Sequence, residues 1–79
     1  MDRKELESQV IALVATSYGV DESTLTVETS FADEIGGTSV QMVGLVSEIE
    51  NELDVMVQLK DAAGCATIGD LVDKVEEEM

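Results

Sequence analysis

Three segments of this chain repeat apolar residues every three or four positions, the spacing that places them on one face of an α-helix. They cover residues 2–19, 38–53 and 67–75. Their apolar stripes are Leu6, Val10, Ile11, Leu13 and Val14; Val40, Val43, Val46, Ile49 and Leu53, widened by Met42 and Leu45; and Ile68, Leu71, Val72 and Val75. Because each stripe must be covered by another element, the pattern predicts an all-α bundle.

Capping signals mark where these helices begin and end. Asp2 with Glu5 three residues later resembles a capping box, and Gly19 stands where a helix commonly ends on glycine. Thr67 with Asp70 predicts the start of the last helix.

The two remaining stretches sustain no helical period. Residues 20–37 predict a long loop held to the core by apolar side chains. Residues 54–59, "DVMVQL", predict an extended segment, followed by a short helix near residue 61. We therefore expect three main helices, a short third helix and a long loop between helices 1 and 2.

Composition limits what such a bundle can do. A length of 79 residues predicts a single domain, 1–79. No run approaches the roughly 18 apolar residues of a membrane span, and "MDRKELESQV" does not resemble a signal peptide, which predicts a cytoplasmic protein. With no histidine and with Cys65 alone, the usual general base, an internal disulfide and a zinc site of clustered thiolates are excluded, so we expect neither a metal site nor an enzyme.

Charge indicates the kind of partner. Eighteen Asp and Glu oppose four Lys and Arg, giving a net charge of -14. Nucleic acid and anionic membranes would be repelled, whereas protein partners with basic patches would be attracted.

A candidate site lies at the start of the second helix. Thr38 has Gln41 three residues later, which completes a capping box, whereas Ser39 has no such partner. We therefore expect Thr38 to cap the helix and Ser39 to be its first residue, with a free hydroxyl. The helix terminus would favour a phosphate at that point, and Gly36 and Gly37 would let another protein approach closely.

Ser39 is a poor candidate for a nucleophile of this chain itself. A catalytic serine needs an adjacent base, and none of the three lysines lies in an apolar run that would lower its pKa. Ser39 is therefore predicted to be modified by another enzyme, which would supply the base.

The stretch "FADEIGGTSV" resembles the attachment signature of acyl and peptidyl carrier proteins, F-x-[DE]-x-[LI]-G-x-[DHT]-S-[LIV]. Length, acidity, the long first loop and "ATIGDLVDKV" near the end are also similar to that family, so the resemblance covers essentially the whole chain.

This resemblance implies a four-helix bundle of the acyl-carrier type, with 4′-phosphopantetheine attached to Ser39 by a separate phosphopantetheinyl transferase. The arm would end in a thiol that carries its cargo as a thioester between acyl-loading and acyl-processing enzymes. The chain itself would be a monomeric carrier in lipid or polyketide-type biosynthesis, including fatty acid biosynthesis, and would catalyse nothing.

Departures from the family pattern concern recognition. Thr38 replaces a common Asp, Gly44 stands where many fatty-acid carriers have an acid, and Asn51 replaces a second acid, while Glu50 matches. These departures favour a specialised carrier with dedicated enzymes. The candidate recognition residues are Thr38, Val40, Gln41, Met42 and Glu50.

Two alternatives stay open at this point. A discrete peptidyl carrier with aminoacyl cargo is favoured by Gly37 and Thr38. An unmodified acidic helical adaptor that binds a basic partner is a hypothesis of another class. We expect Cys65 to be a small buried hydrophobe, although the family's third helix lies near the prosthetic arm.

Overall fold

A computed structural model of the chain describes residues 2–36 and 39–79. Within these ranges the chain is all-α, which confirms the predicted fold class. Its α-helices are α1 (Arg3–Tyr18), α2 (Ser39–Leu53), the short α3 (Leu59–Ala63) and α4 (Ile68–Glu77). The loop between α1 and α2 contains a 3₁₀ turn, Glu22–Thr24, and a π-helical turn, Phe31–Ile35.

The predicted helix ends are confirmed wherever the structure describes them. The Asp2 carboxylate accepts a hydrogen bond from the Glu5 N–H at 2.8 Å. Gly19 ends α1 in the left-handed conformation, with φ 67°. Thr67 Oγ1 accepts from the Asp70 N–H at 3.2 Å, and Asp70 Oδ2 accepts from the Thr67 N–H at 3.3 Å. The predicted cap at Thr38 and the free hydroxyl of Ser39 lie outside the described residues and side chains.

The core is aliphatic and draws on α1, α2 and α4. Its largest fully buried side chains are Leu6, Val10, Val14, Leu45, Ile49, Ile68, Leu71, Val72 and Val75. All four apolar residues predicted for the inner face of α4 are among them, because their i, i+3, i+4, i+7 spacing keeps them on one face of the helix. In residues 54–58, Val55 and Val57 are buried and Met56 is 67% exposed, the alternation of an extended segment.

The predicted apolar stripe of α2 was wrong in its first two members. Val40 is 76% exposed and Val43 47%, whereas Met42 is buried in the core with Leu45 and Ile49. The physical reason is that residues three positions apart lie about 60° apart around a helix, so a series of i+3 spacings turns steadily away from one face. Val40 therefore lies about 160° from Met42, on the opposite side of α2. Val40 is therefore a surface residue, and Met42 is a core residue.

Backbone hydrogen bonds fasten the long first loop to the start of α4. The Ile68 N–H donates to the Thr29 carbonyl at 3.1 Å, and the Gly69 N–H donates to the Val27 carbonyl at 2.7 Å. These amides belong to the first turn of α4 and have no partner within the helix. The loop thus satisfies them, and α4 in turn fixes the path by which the loop approaches α2.

Within residues 2–36 and 39–79, each helix is too short or too polar to cross a bilayer.

Candidate functional site

Ser39 is the first residue of α2, and the chain reaches it through a turn at Gly36. Gly36 has φ 68° and ψ -138°, a conformation that residues with a Cβ rarely adopt. Its N–H donates to the Phe31 carbonyl at 2.7 Å, which closes the π-helical turn. Glycine at this position is therefore required by the backbone that leads into the helix.

The electrostatic environment at this end of α2 suits an attached phosphate. The terminal N–H groups give a helix N-terminus a partial positive charge. The first turn of α2 carries no acidic side chain. Indeed, residues 35–47 contain no charged residue, although 22 of the 79 residues are Asp, Glu, Lys or Arg. The sequence is therefore uncharged from four residues before Ser39 to eight residues after it.

A cleft of about 610 Å³ lies on the same side of the molecule as the residues that flank Ser39. Gly36, three residues before Ser39, and Met42, three residues after it, both line this cleft. Phe31 and Leu59 add apolar walls from the first loop and from α3. In the sequence, Ser39 therefore stands between two residues of the cleft lining. The residues present fit a flexible group attached to Ser39.

Tyr18 and Phe31 form an aromatic pair in the cleft wall. Their ring centroids are 6.1 Å apart and the rings are tilted by 47°. The Tyr18 hydroxyl lies 3.9 Å from the Sδ of Met42. Burial raises the pKa of Tyr18 above its ordinary value, so the hydroxyl keeps its proton at neutral pH. Sequence reasoning missed Tyr18 as a cleft residue, because nothing in its spacing distinguishes a cleft wall from core.

The predicted recognition residues are not equally accessible. Val40 and Glu50 are exposed, Gln41 is half-buried, and Met42 is buried. Thr38 lies outside the described residues. A role for these five in partner recognition stays a prediction.

Cys65 lines the cleft from the segment that follows α3. It is partly buried and packs against the core, and its thiol donates to the Asp61 carbonyl at 3.3 Å. Burial, with the Asp70 carboxylate as a smaller cause, raises the pKa of this thiol. The thiol is therefore a weak nucleophile at neutral pH.

Comparison with known proteins agrees with this geometry. The phosphopantetheine attachment site family matches residues 8–75. The acyl carrier protein of Thermotoga maritima is 35% identical over 77 residues, covering 98% of this chain and 95% of that protein. The chain belongs to the acyl carrier protein family. The acyl carrier protein of an Exiguobacterium species is 32% identical over 79 residues, the full length of both chains.

Membership of the acyl carrier protein family tests three of the predictions. An acyl carrier protein holds 4′-phosphopantetheine covalently, so the predicted cofactor is confirmed. It carries acyl groups and does not catalyse, so the prediction of a non-enzyme is also confirmed. Its partners include a phosphopantetheinyl transferase and acyl-handling enzymes. The alternative of an unmodified adaptor is contradicted by the same finding.

Proposed function

We propose that Ser39 is the residue that carries 4′-phosphopantetheine. Its position supports this proposal most directly, since Ser39 opens α2 within the matched residues 8–75 and in the sequence lies between two residues that line the cleft. The conformation of Gly36 and the uncharged sequence from 35 to 47 add to that support. The bound group supplies a flexible arm with a terminal thiol, which holds an acyl group as a thioester.

Loading would be a phosphoryl-transfer reaction carried out by the transferase. The Ser39 hydroxyl oxygen attacks the coenzyme A phosphorus that bears the pantetheine, and a new phosphodiester bond forms. The pyrophosphate P–O bond breaks, and adenosine 3′,5′-bisphosphate leaves with its electron pair. The hydroxyl proton passes to a base of the transferase, because the carrier contains no histidine that could accept it.

We further propose that the cargo is an acyl group of lipid or polyketide-type biosynthesis, with fatty acid biosynthesis included. Apolar side chains of Phe31, Met42 and Leu59 line the cleft beside the attachment point. An acyl chain would bury apolar surface there, whereas the charged ammonium of an aminoacyl group would lose hydration. This supports acyl over aminoacyl cargo.

The partner enzymes are proposed to meet the carrier with basic patches. The net charge of -14 would steer such surfaces toward it, and it would also keep copies of the carrier apart as monomers. On α2 the exposed acids Glu50 and Glu52 lie in the second half of the helix, beyond the uncharged start. A basic patch would therefore engage the C-terminal half of α2 while the active site faces Ser39.

The attachment residue can be tested by intact mass. The wild-type chain, Ser39→Ala and the matched control Ser47→Ala, an exposed serine of the same helix, are incubated with coenzyme A and a broad-specificity phosphopantetheinyl transferase. Wild type and Ser47→Ala should each gain the mass of one phosphopantetheine group, and Ser39→Ala should gain none. A wild-type chain that stays unmodified, or a modified Ser39→Ala, would contradict the proposal.

A further inference from the structure

We propose that the Tyr18 hydroxyl makes the cleft selective for acyl groups that carry a hydroxyl or keto oxygen along the chain, over saturated acyl groups of the same length. This inference rests on the proposed function, because it assumes that an acyl group attached through Ser39 reaches the cleft. It concerns which cargo the carrier shelters, and not whether the carrier is loaded.

The Tyr18 hydroxyl is held in the cleft wall with a weak hydrogen-bond partner. It lies 3.9 Å from the Met42 Sδ, and a thioether sulfur is a poor acceptor. A phenol hydroxyl can donate one hydrogen bond and accept others, so most of its capacity is left to an incoming group. The oxygen of a hydroxyl or keto group would be a stronger acceptor than the sulfur.

Ser30, another polar residue of the cleft wall, already makes hydrogen bonds of its own. The Ser30 hydroxyl accepts from the Asp33 N–H at 3.2 Å, and the Ser30 N–H donates to a Glu34 carboxylate oxygen at 2.8 Å. These bonds stabilise the π-helical turn at the mouth of the cleft. The exposed Asp33 carboxylate also lines the cleft, but a carboxylate accepts hydrogen bonds and does not donate them, so we assign the donor for a cargo oxygen to the Tyr18 hydroxyl.

The position of Tyr18 is set by its neighbours. The Phe31 ring packs against it at 6.1 Å, and α1 supplies its backbone at the last helical residue. Since both anchors belong to the folded core, the hydroxyl does not need to be ordered by the ligand.

The selectivity arises because the two kinds of cargo leave the Tyr18 hydroxyl with different hydrogen-bond partners. A saturated chain would strip water from the Tyr18 hydroxyl and leave it with the sulfur alone, which is unfavourable for a buried polar group. A chain with an oxygen substituent would replace that water with a hydrogen bond. The cleft should therefore stabilise the oxygenated form of the loaded carrier more strongly.

The test compares acyl forms of the same length. Hexanoyl, 3-hydroxyhexanoyl and 5-hydroxyhexanoyl phosphopantetheine are loaded from their coenzyme A thioesters, and intact mass confirms loading before each melting temperature is measured. At least one hydroxylated form should melt about 4–8 °C above the hexanoyl form. Tyr18→Phe should abolish this difference. Thr16→Val should keep it, since that hydroxyl lies on the same helix but is exposed and bonded to the Ala12 carbonyl.

A second measurement does not depend on the variants. In the wild-type carrier, the NMR signal of the Met42 methyl group should move further on loading with a hydroxylated chain than with hexanoyl, because the ligand oxygen takes the hydroxyl from Sδ. Equal melting temperatures for all three forms, or a difference that persists in Tyr18→Phe, would overturn the inference while leaving the attachment proposal intact. Failure of wild type to load would overturn both.

Discussion

Among residues 2–36 and 39–79, Asp54 is the non-glycine residue that adopts a positive φ. It follows the last residue of α2 with φ 55°, and its N–H donates to the Glu50 carbonyl at 3.0 Å. Glycine or asparagine usually occupies such a left-handed position after a helix. The Asp54 carboxylate also lies at the negative end of the α2 dipole, in a chain that already carries excess negative charge.

Replacing this carboxylate by an amide should stabilise the fold. Asp54→Asn keeps a side chain that tolerates the left-handed region and removes the unfavourable charge, so the free energy of unfolding should rise by about 0.3–1 kcal/mol at low salt. Urea denaturation measures it. Glu5→Gln is the matched control: it changes net charge equally but at the positive end of α1, and it should not stabilise. Equal stabilisation by both variants would show that net charge alone is responsible.

Cys65 offers a second test at this scale. Because burial raises the pKa of its thiol, the thiolate should appear at higher pH in the folded protein than in the unfolded chain. Alkylation by iodoacetamide, followed from pH 7 to 10, should have its midpoint at higher pH in buffer than in concentrated urea. Coincident midpoints would contradict the partly buried placement.

Among the elements, the first loop and α4 support each other. A Cβ at Gly69 would lie 2.9 Å from the Val27 carbonyl oxygen, to which the Gly69 N–H donates. The loop therefore approaches α4 at a distance that only glycine allows. The same loop carries Phe31 into the cleft wall, so this contact connects α4 to the functional site.

Two glycine-to-alanine substitutions distinguish the effect of this contact on stability from the effect of helix propensity. Gly69→Ala should destabilise the fold by about 1–3 kcal/mol, because backbone must shift to relieve the clash. Gly44→Ala is the control: it lies on an exposed face of α2 with open space at the Cβ position, and it should stabilise by about 0.5–1 kcal/mol. Thermal unfolding of both variants gives the comparison. If Gly69→Ala were neutral, the loop would not be held as described.

Some features of the helices could be predicted from the sequence, and others could not. Helix ends at Asp2, Gly19 and Thr67 were predictable, because capping depends on residues next to one another in the chain. The buried face of α2 was not, since an i+3 spacing drifts around the helix and only packing decides which part of the stripe is covered. The cleft depends on Tyr18, Phe31 and Leu59 meeting across three elements, which no local pattern encodes.

The sequence alone says more about the candidate attachment site than about the cleft. The sequence alone indicates Ser39 as the candidate, because its motif is contiguous and Gly36 answers a backbone requirement, and attachment at Ser39 stays a prediction. The recognition residues also stay a prediction, and among them only the exposure of Val40 differs from the predicted apolar stripe of α2.

At the scale of the whole molecule, repulsion among carboxylates opposes folding. The protein measures 27 × 24 × 19 Å and carries a net charge of -14. At about 0.01 M salt the Debye length is about 30 Å, so each charge interacts with every other across the molecule. Arg3 offsets part of this by joining α1 to α4 through Asp73 and Glu76, at 2.7 and 3.2 Å.

Salt should therefore stabilise the carrier. Raising NaCl from about 0.01 M to 0.3 M shortens the Debye length to well below the molecular dimensions and screens the repulsion. It also weakens the Arg3 ion pairs, but these are exposed and contribute little. The melting temperature should rise by several degrees, equally in NaCl and KCl. An unchanged or lower melting temperature would show that attractive pairs outweigh the net repulsion.

The decisive measurement locates the phosphopantetheine on the chain. The wild-type protein is loaded by a transferase and coenzyme A and digested, and the modified peptide is fragmented in a tandem mass spectrometer. We predict that the added mass lies on Ser39, the first residue of α2. Modification of Thr38 or Ser47 in its place would contradict the assignment.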